Sequence, residues 1–285
     1  MNAIPIIALY ALREAVRRKV FIVVLVLTAA FLVLYWLGTD FAFEETQQFG
    51  VDSETGIEVD VLAGATLFGL AMFATLFLGT VLAVFLTLGA VRGDAERGLL
   101  QPLVVRPVGR STVLVARLVG AAAVCAPYVF AVYAAAAVIT RSTGGWWPDR
   151  FLVPGLELAA AVVIIAALSL LGSVFLSSIA NGIAIFMVFG AGLVAGLLGQ
   201  IGEALNSETL QSVARYASRA LPFEALYQDG LYRITEDTVG FTRFALSLGP
   251  FGGAQVGGDM LPLWTAGYLV AVVGVAMLAF ARRDL

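Results

Sequence analysis

Over most of the chain the apolar residues neither alternate nor recur with helical spacing. They come in six nearly unbroken blocks, with the polar residues confined between them. The blocks run from about Val20 to Leu37, Val61 to Val91, Val113 to Ile139, Leu152 to Leu176, Ile183 to Ile201 and Leu261 to Ala281. Each has at least the roughly 18 residues that an α-helix needs to cross a hydrocarbon core about 30 Å thick. Only helices and closed barrels satisfy every backbone hydrogen bond inside such a core, so blocks of this length predict six membrane-spanning helices. The second block exceeds a perpendicular crossing and must tilt or project beyond the bilayer. Pro127 removes one helix hydrogen bond from the third and is expected to kink it. Between the fourth and fifth, Ser177-Ser178-Ile179-Ala180-Asn181-Gly182 leaves only a tight linker, so these two spans should form a hairpin.

The segments between blocks have characters of their own. In residues 2–19, Ile6, Leu9, Tyr10, Leu12, Val16 and the adjoining Val20 make an apolar stripe, while Arg13, Arg17 and Arg18 gather opposite. That pattern predicts a helix in the plane of the membrane interface with its cations toward the headgroups. The loop from Thr39 to Asp60 holds Asp40, Glu44, Glu45, Asp52, Glu54, Glu58 and Asp60 and no lysine or arginine. Its spacing matches no calcium-binding helix-loop-helix, and it reads as a solvated acidic face. Residues 202–260 show helical patterning from Ser207 to Ala220 and aromatics at Phe223, Tyr227 and Tyr232. Too short and irregular for an enzyme domain, this region is expected to form helices lying on the outer surface.

A strongly charged interruption runs from Arg92 to Arg117, with five arginines. Asp94 and Glu96 suit a helix N-terminus, Pro107 limits the helix, and Leu99, Leu100, Leu103 and Val104 share one face. A short amphipathic helix on the membrane surface is therefore predicted here.

Composition sharpens this picture. The chain is 60% hydrophobic and 13% charged, which excludes an ordinary soluble domain. It has no histidine, so histidine-ligated haem, histidine-containing zinc sites and histidine-based acid–base catalysis are excluded. Its one cysteine, Cys125, lies inside an apolar block and reads as a small buried hydrophobe. The first block is read as a retained span, because no small-residue cleavage site follows it. Segments on the side of the N-terminus carry eleven basic residues against four acids, and the opposite side carries six against sixteen. Six spans with both termini in the cytoplasm satisfy that asymmetry. Acidic and basic residues are missing from the span centres, Arg117 and Glu157 lying at span edges, and no GxxxxGK[ST] phosphate loop is present. The energy for any transport must then come from another chain. Gly192 and Gly196, with Gly199 repeating the small-residue spacing, predict close approach of another helix, within the chain or across a dimer.

Glu96, Gly98, Leu100, Arg106, Pro107 and Arg110 match an E-x-G-x-L…R-P-x-x-R pattern between the second and third spans. In this the chain resembles the ABC-2 type transporter permeases, and near the smaller exporter-like members. The resemblance implies an all-α integral membrane protein: an elbow helix at residues 1–19, then a six-span domain at 20–285 of type V exporter-like architecture. Within that domain, residues 92–112 would be the cytoplasmic coupling segment and 202–260 an extracytoplasmic region. It further implies a non-catalytic permease in the cell membrane, working as a dimer on two copies of a cytoplasmic ATPase. ATP and magnesium would be bound by that ATPase, with no cofactor or metal in this chain. Arg13, Arg17 and Arg18 would belong to the elbow, and the Gly192–Gly199 helix would face the dimer. Membrane lipids are expected partners, an extracytoplasmic protein stays open, and nucleic acid is not expected. A membrane-anchoring subunit and a stand-alone channel or carrier are the alternatives; the best pore-lining candidates for the latter are Thr66, Thr75, Thr80 and Thr87 of the second span.

Overall fold

The computed structural model describes residues 19–49, 58–88, 109–239 and 255–282, together with Thr242 and Leu246. Among them run eight helices: α1 (Lys19–Phe49), α2 (Val59–Thr87), α3 (Arg110–Gly144), α4 (Leu152–Phe175), α5 (Ser178–Ala204), α6 (Glu208–Ala220), α7 (Pro222–Arg233) and α8 (Leu261–Ala281). All but α6 and α7 are long and apolar enough to span a membrane. The chain is an all-α, multi-pass membrane protein.

α2 and α4 form the centre. Phe68, Met72, Leu76 and Leu82 of α2 and Leu158, Ala161, Val162 and Ala166 of α4 are wholly buried. Gly79 lets α2 approach both α3 and α4: a methyl group there would lie 2.6 Å from Val129 Cγ2 and 2.8 Å from Val162 Cγ2. α1 lies outside this block, against α2 and α3. Two hydroxyl pairs fasten it, Thr28 to Tyr128 at 2.5 Å and Tyr35 to Thr140 at 2.7 Å. Its other face, like that of α8, presents large exposed apolar side chains such as Leu34 and Val270. In water such surfaces would be untenable; in a bilayer they are the lipid-facing side. Cys125 is buried and unpaired, as expected for a small hydrophobe.

Three boundaries differ from the hydrophobic pattern. α1 continues to Phe49, far beyond Leu37, because Thr39 and Phe43 keep the helical spacing and remain buried, Phe43 lying beneath Gly144. The acids Asp40, Glu44 and Glu45 therefore belong to a helix that projects from the core, not to a loop. The α4–α5 link is only Leu176 and Ser177, so Asn181 lies inside α5. It is fully buried, and its Nδ2 donates to the Ser169 carbonyl at 2.9 Å. Finally, the region after α5 is not all surface. α6 is, with only Ala214 buried, but α7 is driven into the bundle, burying Phe223, Glu224, Leu226, Tyr227, Asp229 and Leu231. Its polar spacing looks like a surface helix, yet its buried carboxylates are held by Gln228 and Arg233 one turn on and, for Asp229, by the distant Gly257 N–H.

Candidate functional site

Successive crossings alternate direction, so the bundle has two functional ends. At one, α2 finishes and α3 begins. Glu96, Gly98, Leu100, Arg106 and Pro107, like Arg13, Arg17 and Arg18, lie outside the described residues. Of the predicted coupling residues only Arg110 is placed, as the first residue of α3, with Gly109 at its N-cap. The Gly109 carbonyl accepts from the N–H groups of Thr112 and Val113 at 3.0 and 3.3 Å. Beside this end, an apolar cleft of about 500 Å³ lies between the last turn of α2 and the first turns of α5. Leu88 closes against Gly182 there, where a methyl group would stand 2.9 Å from Leu88 Cδ1.

At the opposite end α7 is wedged between α4 and α5. The glycines of α5 make this possible. A methyl group at Gly192 would stand 2.6 Å from Phe223 Cζ, and one at Gly196 would meet Glu224 Oε1 and lie 2.8 Å from Gln228 Nε2. At Gly199 it would approach Gln255 and Ala214. The small-residue stripe is thus occupied within the chain by α7, α6 and residue 255. The spacing allowed a partner within the chain or across a dimer; at these three glycines the close approach comes from within the chain.

α7 is locked to α4 by charge. Arg233 Nε stands 2.6 Å from Asp229 Oδ2 and 3.3 Å from Glu157 Oε1, and the Gly257 N–H donates to Asp229 Oδ1 at 2.7 Å. Gly230 brings the two helices together, with Glu157 Oε2 only 3.4 Å from where its methyl group would be. Burial opposes the charge on Asp229, but its hydrogen bonds, including those from the Gly257 N–H and Arg233, hold its carboxyl below the usual range. Glu224, by contrast, makes no ion pair among the described residues. Burial pushes its carboxyl up to about 7, against the opposing hydrogen bond from Gln228. Glu157 was legible as an edge residue, whereas Asp229 and Arg233 were visible only as an i, i+4 pair in an irregular region. The hydroxyls of Thr75, Thr80 and Thr87 donate back to the carbonyls of Ala71, Leu76 and Ala83 at 2.7–2.8 Å. They are therefore consumed within α2 and do not line a polar path.

An all-helical chain with six membrane-length helices among the described residues agrees with one comparison. The model of the ABC-2 family transporter proteins matches residues 6–285. The chain belongs to the ABC-2 transporter family. It is thus a membrane component of transport, and the match spans both the N-terminal prelude and the Glu96–Arg110 pattern. No curated protein matches it.

Proposed function

We propose that this chain is the permease half-unit of an ATP-driven transporter, paired with a second copy and seated on two copies of a separate cytoplasmic ATPase. Closure of the ATPase pair pushes on residues 92–112 and on the N-terminal elbow, and the spans respond by rigid-body rocking. ATP and magnesium are held by the ATPase, and this chain performs no chemistry. Both termini face the cytoplasm, in keeping with the eleven-to-four excess of basic residues on that side. A second copy would meet the exposed side of α5, at Ile183, Met187, Val194 and Leu197, since the glycine side is filled.

The observation that carries the reading is the position of the Glu96–Arg110 pattern. It joins α2 and α3, which pack on each other and on α4, so a force on it reaches the centre of the bundle directly. Glu96, Arg106 and Arg110 make the polar contacts with the ATPase, while Gly98, Leu100 and Pro107 shape the segment that docks. Charge reversal at Glu96 or Arg106 should cost about 2–5 kcal/mol of docking free energy and weaken it well over tenfold. Glu96→Arg and Arg106→Glu should then reach the membrane folded but fail to co-purify with the ATPase or to stimulate it. Wild-type yield, recovery and stimulation in both variants would return the chain to the membrane-anchoring alternative.

A further inference from the structure

A cavity of about 660 Å³ opens at the α7 end, between α5, α6, α7 and the first turn of α8. Its wall at Gly196 lies eight residues before the end of α5, so it reaches about 12 Å down the helix axis. That is headgroup-to-upper-chain depth in a bilayer. Glu224 and Gln228 line its inner part, Arg215 and Arg219 its rim, and Met260 and Trp264 stand exposed at its apolar side.

Two polar atoms at this wall lack protein partners. Glu224 is 1% exposed, and its Oε2 receives no hydrogen bond; neither does the buried Oε1 of the adjacent Gln228. Glu224 Oε1 is already engaged by Gln228 Nε2 at 2.8 Å. Buried polar groups are ordinarily satisfied, so these two neighbouring open oxygens call for a partner from outside the chain, and a donor suits both once Glu224 is ionised. A primary ammonium carries three N–H donors and the charge that an ionised Glu224 attracts. The exposed guanidinium groups of Arg215 and Arg219 at the rim suit a phosphate.

We propose that this cavity binds the headgroup of an aminophospholipid, its ammonium at Glu224 and Gln228 and its phosphate at Arg215 and Arg219. The acyl chains leave past Met260 and Trp264 into the surrounding bilayer. The proposal needs only a membrane around the helices and is independent of the ATPase reading.

Its test is lipid retention by the purified chain without any partner. The protein is placed in nanodiscs of equimolar phosphatidylethanolamine, phosphatidylcholine and phosphatidylglycerol, and the lipids that stay bound are weighed by native mass spectrometry. Phosphatidylethanolamine should be retained over the other two by about tenfold, because a quaternary ammonium has no N–H and a glycerol headgroup has no cation. Glu224→Gln should erase that preference. The double variant Arg215→Ala, Arg219→Ala, changed only at exposed positions, should lower retention of all three. Equal retention of the three lipids by the wild-type chain overturns the proposal without any variant having to fold. Displacement by soluble glycerophosphoethanolamine as readily as by the lipid overturns it too, and assigns the site to a free phosphoamine.

Discussion

The two ends of the bundle bury different chemistry. Where α7 meets α4 and α5, the hidden polar groups are ionisable: Glu157, Asp229 and Glu224. Where α2 and α4 end and α3 and α5 begin, those among the described residues are neutral: Thr87, Ser169, Ser173 and Asn181. Separating a buried charge from its partner costs about 3–5 kcal/mol, whereas a neutral hydrogen bond contributes about 1 kcal/mol net. The α7 end should accordingly hold its helices fixed, and the end that carries the coupling pattern should yield more readily. The rocking proposed above would use such an asymmetry, with one end clamped and the other free to respond.

The strongest way to break this contrast is Asp229→Ala. It removes the shorter ion pair of Arg233, leaves the longer one to Glu157, and orphans the Gly257 N–H. A loss of about 3–5 kcal/mol is expected, read as a lowered unfolding midpoint in detergent. An unchanged midpoint would mean that the charges are not what fixes α7.

A pH titration tests the same end without mutation. Folded Glu224 keeps its proton up to about 7, against an ordinary value of 4.5. Between those values the folded chain binds more protons than the unfolded one, so stability falls as pH rises through this window and is level beyond it. The full span is on the order of 3 kcal/mol, at roughly 1.4 kcal/mol per unit. Arg215 and Arg219 line the same cavity, and Tyr227 on the same helix feels this carboxyl's charge. Glu224→Gln should flatten the midpoint-against-pH curve in that window; a slope that persists would assign it to another group.

Replacing Gly192 and Gly196 with leucine overpacks the α5–α7 contact, for about 1–3 kcal/mol per site. Proteolysis between α5 and α8 should accelerate while recovery of any dimer stays normal. Loss of the dimer with α7 still protected would restore the glycine face to a second copy.

The smallest effect belongs to the neutral end. Asn181→Ala removes the Nδ2 bond to Ser169 and should cost about 1 kcal/mol. Should it exceed Asp229→Ala, the contrast between the ends is reversed.

Much of this molecule was legible in its sequence because a bilayer imposes its own thickness. A run of apolar residues long enough to cross must be a helix, so the six spans, the sixth to the residue, followed from hydropathy alone. The absence of histidine and of a phosphate loop, and the pattern from Glu96 to Arg110, are likewise properties of the string of residues. The tertiary structure decided what depends on a partner distant in sequence. α1 outlasts its apolar block because Phe43 finds Gly144, and Asn181 becomes helical and buried because Ser169 accepts its amide. The same holds for α7, whose spacing of carboxylates and aromatics reads as a surface helix until Glu157 and Gly192 are brought against it. Burial of a charged residue is a property of the pair. One member of that pair, seen alone in the sequence, gives no sign of it.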